Sequence, residues 1–342
     1  MTRSLAALPK AHLHLHFTGS MRITTLRELA AKHGLRLPAS LLADWPPTLR
    51  ATDERGWFRF QRLYDTARAC VQDESDMRRI VREAAEDDAR EGSRWLEIQV
   101  DPTSYAPFVG GITPAIEIVL DEAASATRDT GTSVAVVVAA SRTRHPFDAR
   151  TLARLAAQYA GDGPGTVVGF GLSNDERRGD TAEFGPAFRI AARAGLASVP
   201  HAGELLGPSH VVEALDHLGP DRLGHGVRAS EDEPLLARLV QRAVTLEVCP
   251  ASNVALGVYE EMSQVPLRQL LDSGVNIALG ADDPLLFGSR LLAQYESART
   301  DHGLGDDELA ELARGSVRGS RAPDDVQAVL LADIDTWLAA TP

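Results

Sequence analysis

The 342-residue sequence predicts an α/β protein built as a (β/α)8 TIM barrel, with a helical insertion after the first strand and extra C-terminal helices. Three observations carry this prediction. Eight short apolar runs recur, at 11–16, 95–100, 133–140, 166–172, 196–200, 222–224, 244–248 and 275–279. Segments of helical length and apolar periodicity separate most of them, among them 112–127, 151–159, 184–194, 209–218, 233–242 and 266–273. Buried strands alternating with helices imply a parallel sheet, and eight such units favour a closed barrel over an open doubly wound sheet. Finally, the residues able to carry chemistry fall at the C-terminal ends of these runs, the rim where barrel active sites lie.

The first run reads His12-Leu-His14-Leu-His16. Alternate residues of a strand share a face, so two of these imidazoles can hold one metal ion, and periodicity leaves open which two. No strand is expected over about 17–93, which contains helical patterns at 24–33 and 75–91 and the aromatic-rich stretch GWFRFQRLY at 56–64. Trp57 and Phe60 read as the apolar face of a helix packed on the barrel, or as a lid over a planar substrate.

The fourth run ends Gly169-Phe-Gly171-Leu-Ser-Asn174-Asp-Glu176 and contains no lysine. The fifth leads into His201-Ala-Gly203-Glu204, where Gly203 permits a tight turn between an imidazole and a carboxylate. The sixth gives Arg222-Leu-Gly-His225-Gly, with His225 a candidate base or orienting group. After the eighth come Asp282-Asp283-Pro284, adjacent carboxylates that call for a nearby cation or proton, or that cap a helix.

A mononuclear zinc site needs three or four N/O ligands and an open position for water. Histidines of the first and fifth strands with an aspartate after the eighth supply that set. Bound zinc lowers the pKa of water to roughly 7. The only lysines, Lys10 and Lys32, lie too early to bridge two metals from the fourth strand, so one Zn2+ per chain is expected.

A formal net charge of −13 repels phosphate backbones and anionic lipid, which leaves a small-molecule partner and excludes nucleic acid and membrane surfaces. Two cysteines, Cys70 and Cys249, suit a reducing compartment. The opening residues lack the apolar stretch of a secretory signal, no run reaches the length of a membrane span, and a cytoplasmic location is expected. The whole of 1–342 is read as one barrel domain. The Leu and Ala stripes after Ser289 do not fix an oligomeric state.

The stretches PKAHLHLHFTGS at 9–20, HAGE at 201–204, RLGHG at 222–226, EVCPASN at 247–253 and GADDPLLF at 280–287 together resemble the adenosine deaminase family of zinc-dependent purine deaminases. The resemblance implies His14, His16, His201 and Asp282 as zinc ligands. It implies Glu204 as the acid that protonates purine N1, His225 as the group that positions and deprotonates the attacking water, and Asp283 as the partner of N7. His12 stands where the family often has an acidic residue and is not taken as a ligand. Two positions depart from the family pattern. Thr18 replaces an acid that contacts the ribose 5′-hydroxyl, and Asn174 replaces a glycine whose N–H contacts purine N3. Gly171, Trp57 and Phe60 complete the expected substrate contacts.

The implied reaction is hydrolysis of the 6-amino group of an adenine nucleoside, giving ammonia and the 6-oxo product. The first expectation is a 5′-modified adenosine such as 6-aminodeoxyfutalosine, a menaquinone-pathway nucleoside, with Arg59 and Arg62 as partners for its benzoate. Adenosine or deoxyadenosine comes next, then adenine. A non-catalytic purine- or zinc-binding barrel is the alternative of another class, and the presence of both Glu204 and His225 argues against it.

Overall fold

In the computed structural model, which describes residues 2–50 and 53–341, the apolar runs form parallel strands in sequence order. They are β1 (Lys10–His16), β2 (Ser93–Val100), β3 (Ser133–Ser141), β4 (Val167–Ser173), β5 (Ala197–Ala202), β6 (Arg222–His225), β7 (Thr245–Val248) and β8 (Asn276–Leu279). Most are buried along their length, as β3 is from Val134 to Ala140, because one face lines the barrel and the other meets helices. The ring is drawn nearly closed at the β1–β8 seam. Asp282 N donates to His14 O and His16 N donates to Asp282 O, each at 3.0 Å. A candidate site residue therefore closes the barrel.

The long β1–β2 connection is helical as expected, with helices Ile23–Lys32, Glu54–Ala69 and Glu74–Arg90. Asp53 starts the second by accepting from Gly56 N at 2.6 Å, and Asp73 with Asp76 forms a capping box on the third. The helix Glu54–Ala69 buries Trp57 and Phe60, and Phe60 stacks on Phe287 with ring centroids 5.9 Å apart. Phe287 ends the short helix Pro284–Phe287 at the barrel mouth, so this contact fixes the insertion over the mouth.

Helix Asp306–Gly319 packs outside the β1–β8 seam, where Ala11 N donates to Ser316 Oγ at 2.9 Å. A Cβ at Gly315 would lie 2.3 Å from Ile277 O, so only glycine allows this approach to β8. Among the described residues no helix is long and apolar enough to cross a membrane.

Candidate metal centre and catalytic pocket

The three histidines of β1 do not share one face, as alternation alone leads one to expect. The pairing of β1 with β2 shifts register between His12 and Leu15. His12 turns toward helix Glu74–Arg90, its Nδ1 lying 3.0 and 3.1 Å from the two Asp88 oxygens. His14 and His16 instead converge with His201 of β5 and with Asp282.

The distances suit donors gathered around one ion. His16 Nε2 lies 3.2 Å from Asp282 Oδ1 and 3.2 Å from His201 Nε2, and His14 Nε2 lies 3.5 Å from Asp282 Oδ1. Bonds of roughly 2.0–2.1 Å to a shared ion would put neighbouring donors about 3 Å apart. His14 Nε2 is buried and has no hydrogen-bond partner among the described residues. Its other nitrogen, Nδ1, lies 2.7 Å from Glu247 Oε2, a carboxylate placed to fix the orientation of the ring. Glu247 Oε1 accepts from Arg222 Nε at 2.6 Å, and Arg222 also reaches Glu97 at 2.5 Å. Ser252 Oγ donates to Asp282 Oδ2 at 2.6 Å, which leaves Oδ1 facing the imidazoles.

The motif glycines make room for these side chains. A Cβ at Gly224 would lie 2.9 Å from His14 Cε1 and 3.0 Å from His201 Cγ, and one at Gly280 would lie 2.6 Å from His14 Cβ. Three non-glycine residues at strand ends, Asn174, His225 and Asp282, have φ of 80°, 63° and 60°. This left-handed backbone is costly and turns each of them at the rim.

Glu204 and His225 adjoin this cluster; His225 forms a second possible metal group with His14 and Asp282, and its Nε2 lies 3.6 Å from Glu204 Oε1. Burial, reinforced by the Asp282 and Glu176 charges, pushes the Glu204 carboxyl well above the usual range. Burial and the Asp282 charge also raise Asp283, whose Oδ1 has no partner among the described residues. A Cβ at Gly19 would strike that oxygen at 1.7 Å. Burial, and then the neighbouring imidazoles, lowers His201, whereas at His14 burial is outweighed by the Asp282 and Glu247 carboxylates, which raise the imidazole to about 10. Burial brings His225 down to about 4, leaving a neutral imidazole able to accept a proton.

An inner chamber of about 70 Å³ is lined by His16, His201, Glu204, His225, Asp282 and Asp283, with Trp57 and Phe60 above. It shares His16, Trp57 and Asn174 with an outer cleft of about 730 Å³. Thr18 lines the outer cleft, its Oγ1 2.5 Å from Tyr105 OH. Gly171 lies inside β4, in register with Ala139 of β3 and Val199 of β5; Ala139 lines the outer cleft, and Gly171 is not among the lining residues of either cavity. Arg59 lines the cleft, whereas Arg62 faces a separate depression with Leu35 and Arg36.

Sequence reasoning assigned no role to Glu176, Glu247, Ser252 or Tyr105. Glu247 and Ser252 sit within the motif EVCPASN already quoted, and membership in that motif was the available signal. Nothing local marks Glu176 or Tyr105.

A family model described as adenosine deaminase matches residues 9–337. A Streptomyces virginiae protein provisionally named adenosine/adenine deaminase is 66% identical over 336 residues, covering 98% of each chain. The aminodeoxyfutalosine deaminase of Streptomyces coelicolor is 34% identical over 342 residues, covering 98% of this chain and 86% of that one. The crystal structure of an adenine deaminase from Arthrobacter aurescens matches with a TM-score of 0.88 at 31% identity, covering 97% of this chain and 99% of that one.

Proposed function

Because the chain belongs to the adenosine deaminase family and is a hydrolytic deaminase, we propose that it releases ammonia from C6 of an adenine ring carrying an N9 substituent. In this reading His14, His16, His201 and Asp282 hold one zinc ion. The observation that carries it is the cluster of His14, His16 and His201, with Asp282 Oδ1 within 3.5 Å of His14 and His16, beside a buried Glu204 whose carboxyl is raised well above the usual range.

Zinc, when bound, supplies the Lewis acidity that ionises water near neutral pH. The remaining work falls to the protein's own side chains. Glu204 gives its proton to ring N1, which withdraws electron density from C6. His225 accepts the proton of the incoming water. Asp283 keeps its proton and donates it as a hydrogen bond to N7, which has only a lone pair to offer. Trp57 and Phe60 cover the ring and exclude bulk water.

The outer cleft supports an N9 substituent, because a 730 Å³ space exceeds what a bare purine fills. Thr18 already engages Tyr105 and offers no carboxylate to a 5′-hydroxyl. Arg55, Arg59 and Arg144 line the same cleft and suit an acidic arm. A 5′-modified adenosine such as 6-aminodeoxyfutalosine is therefore the first substrate. Free adenine is the second reading, favoured by the small inner chamber and by the adenine deaminase of matching structure.

Ammonia release from adenosine, 2′-deoxyadenosine, 5′-deoxyadenosine, adenine and 6-aminodeoxyfutalosine by zinc-loaded protein tests both levels. The highest kcat/KM should fall on the nucleosides that lack the 5′-hydroxyl, 5′-deoxyadenosine and 6-aminodeoxyfutalosine. A higher value on adenosine or adenine overturns the substrate, and no ammonia from any of them overturns the reaction.

A further inference from the structure

We propose that Gln99, with Ser104 beside it, binds the hydroxyls of the N9 substituent and so distinguishes a pentose diol from a deoxy sugar. This deepens the deaminase reading and rests on it. Gln99 stands near the C-terminal end of β2, in register with His16 of β1. Its backbone carbonyl is taken by Phe17 N at 2.8 Å. Its side chain is 1% exposed, yet neither Oε1 nor Nε2 has a hydrogen-bond partner among the described residues. Ser104 Oγ is likewise buried without a partner. Both residues line the outer cleft, together with His16, which also borders the inner chamber. They thus lie on the wall that a ring substituent passes as it leaves that chamber.

The chemistry of the wall narrows what it binds. Buried polar groups are normally paired, and leaving them unpaired is costly. On the same wall Thr18 and Tyr105 satisfy each other, so the wall is not simply short of partners. A carboxamide presents two donors and one acceptor. A carboxylate or phosphate would use only the donors, and a ring nitrogen would use one. Two adjacent hydroxyls, each able to donate and accept, satisfy both ends of Gln99 at once, and Ser104 can serve either of them. The arginines that suit an acidic arm are exposed on the helix Glu54–Ala69 and at residue 144, apart from this buried pair.

The test compares kcat/KM on adenosine, 2′-deoxyadenosine and 3′-deoxyadenosine for zinc-loaded wild type, Gln99→Leu and Ser104→Ala. Wild type should prefer the diol by about tenfold over each deoxy analogue, and both variants should shrink that ratio. A wild-type ratio near one, or a ratio unchanged in a folded variant, overturns the proposal and leaves Gln99 holding solvent only. Should Gln99→Leu fail to fold, Ser104→Ala, at the half-buried end of the 3-10 turn Pro102–Ser104, decides alone. If no aminopurine is turned over, the deaminase reading fails. Calorimetric binding of inosine against 2′-deoxyinosine to the same three proteins then decides the role of Gln99 separately.

Discussion

The carboxylate of Glu176 holds the backbone of Glu204. Its Oε2 accepts from the amides of Glu204, Leu205 and Leu206 at 3.1, 2.5 and 2.8 Å, while Oε1 lies 3.1 Å from His210 Nδ1. Three successive amides on one oxygen fix the turn after β5, and with it the carboxyl proposed to protonate the substrate.

Replacing Glu176 by glutamine should therefore lower both stability and turnover. Glutamine keeps the shape, but its NH2 must face either the amides or His210. A loss of about 2–3 kcal/mol in unfolding free energy is expected, with a kcat decrease of tenfold or more as Glu204 loses its position. The pH dependence separates this role from simple packing. Burial opposes ionisation of Glu176, but His210 and the backbone amides outweigh it and bring the group from 4.5 down to about 2. Its stabilising contribution is complete above about pH 4.5 and is lost as pH falls through about 2. Denaturant unfolding from pH 6 to pH 2 should show a steeper acid loss in wild type than in Glu176→Gln. Parallel curves would remove Glu176 from this account.

Glu204→Gln should abolish turnover while leaving the metal in place. Glutamine cannot deliver a proton to N1, and Glu204 does not belong to the converging donor set. A kcat loss of roughly 10²–10⁴-fold is expected, with zinc per chain unchanged by elemental analysis. Loss of zinc in this variant would place Glu204 among the ligands instead.

Each of the converging donors sits in a short motif at a strand end, where a barrel gathers its chemistry, and the family resemblance chose among the histidines. His14 and His16 could not be separated from His12 by alternation, since a register shift in β1 depends on its pairing with β2. Glu176 was visible as a residue and silent as a function. Its partners lie 28 to 34 positions away, and only the folded turn brings their amides to it.

Glu247→Gln should weaken metal binding more than it harms the fold. The Glu247 carboxylate faces His14 Nδ1 and pairs with Arg222, which Glu97 also holds. Glutamine retains an acceptor for one of them and loses the charge that raises the basicity of the imidazole. Zinc affinity should fall by about 10–100-fold in a chelator competition. Glu247→Ala should be worse, costing about 3–5 kcal/mol of stability, because it leaves Arg222 buried with one carboxylate fewer. Equal zinc affinity in wild type and Glu247→Gln would show that His14 needs no such partner.

Gly224→Ala tests the cluster through sterics alone. Its Cβ would crowd His14 Cε1 at 2.9 Å and His201 Cγ at 3.0 Å, two rings that must both keep their aim. Neither ring can withdraw without leaving the common point, so zinc content and turnover should fall together. Gly163→Ala, where an added Cβ meets nothing within 4 Å, is the control and should match wild type in both. A fully metallated, active Gly224→Ala protein would mean that the imidazoles have more freedom than their packing indicates.

Asn174 joins backbone strain to the substrate path, and two substitutions separate them. Its φ of 80° is one that asparagine tolerates better than most residues, and its Oδ1 accepts from Asp175 N at 2.8 Å. Asn174→Ala keeps the backbone N–H proposed to face purine N3 but puts a Cβ without a compensating hydrogen bond into the left-handed region. It should lower stability by about 1–2 kcal/mol, read as a decrease in Tm. Asn174→Gly relieves the strain while giving up the Asp175 contact, so its Tm should stay close to that of wild type. Its kcat/KM should also remain within a few-fold, because the N–H persists and the shared wall of the two cavities only widens. A large loss of kcat/KM in Asn174→Gly, with Tm unchanged, would instead assign substrate contact to the asparagine side chain and remove the backbone from the recognition of N3.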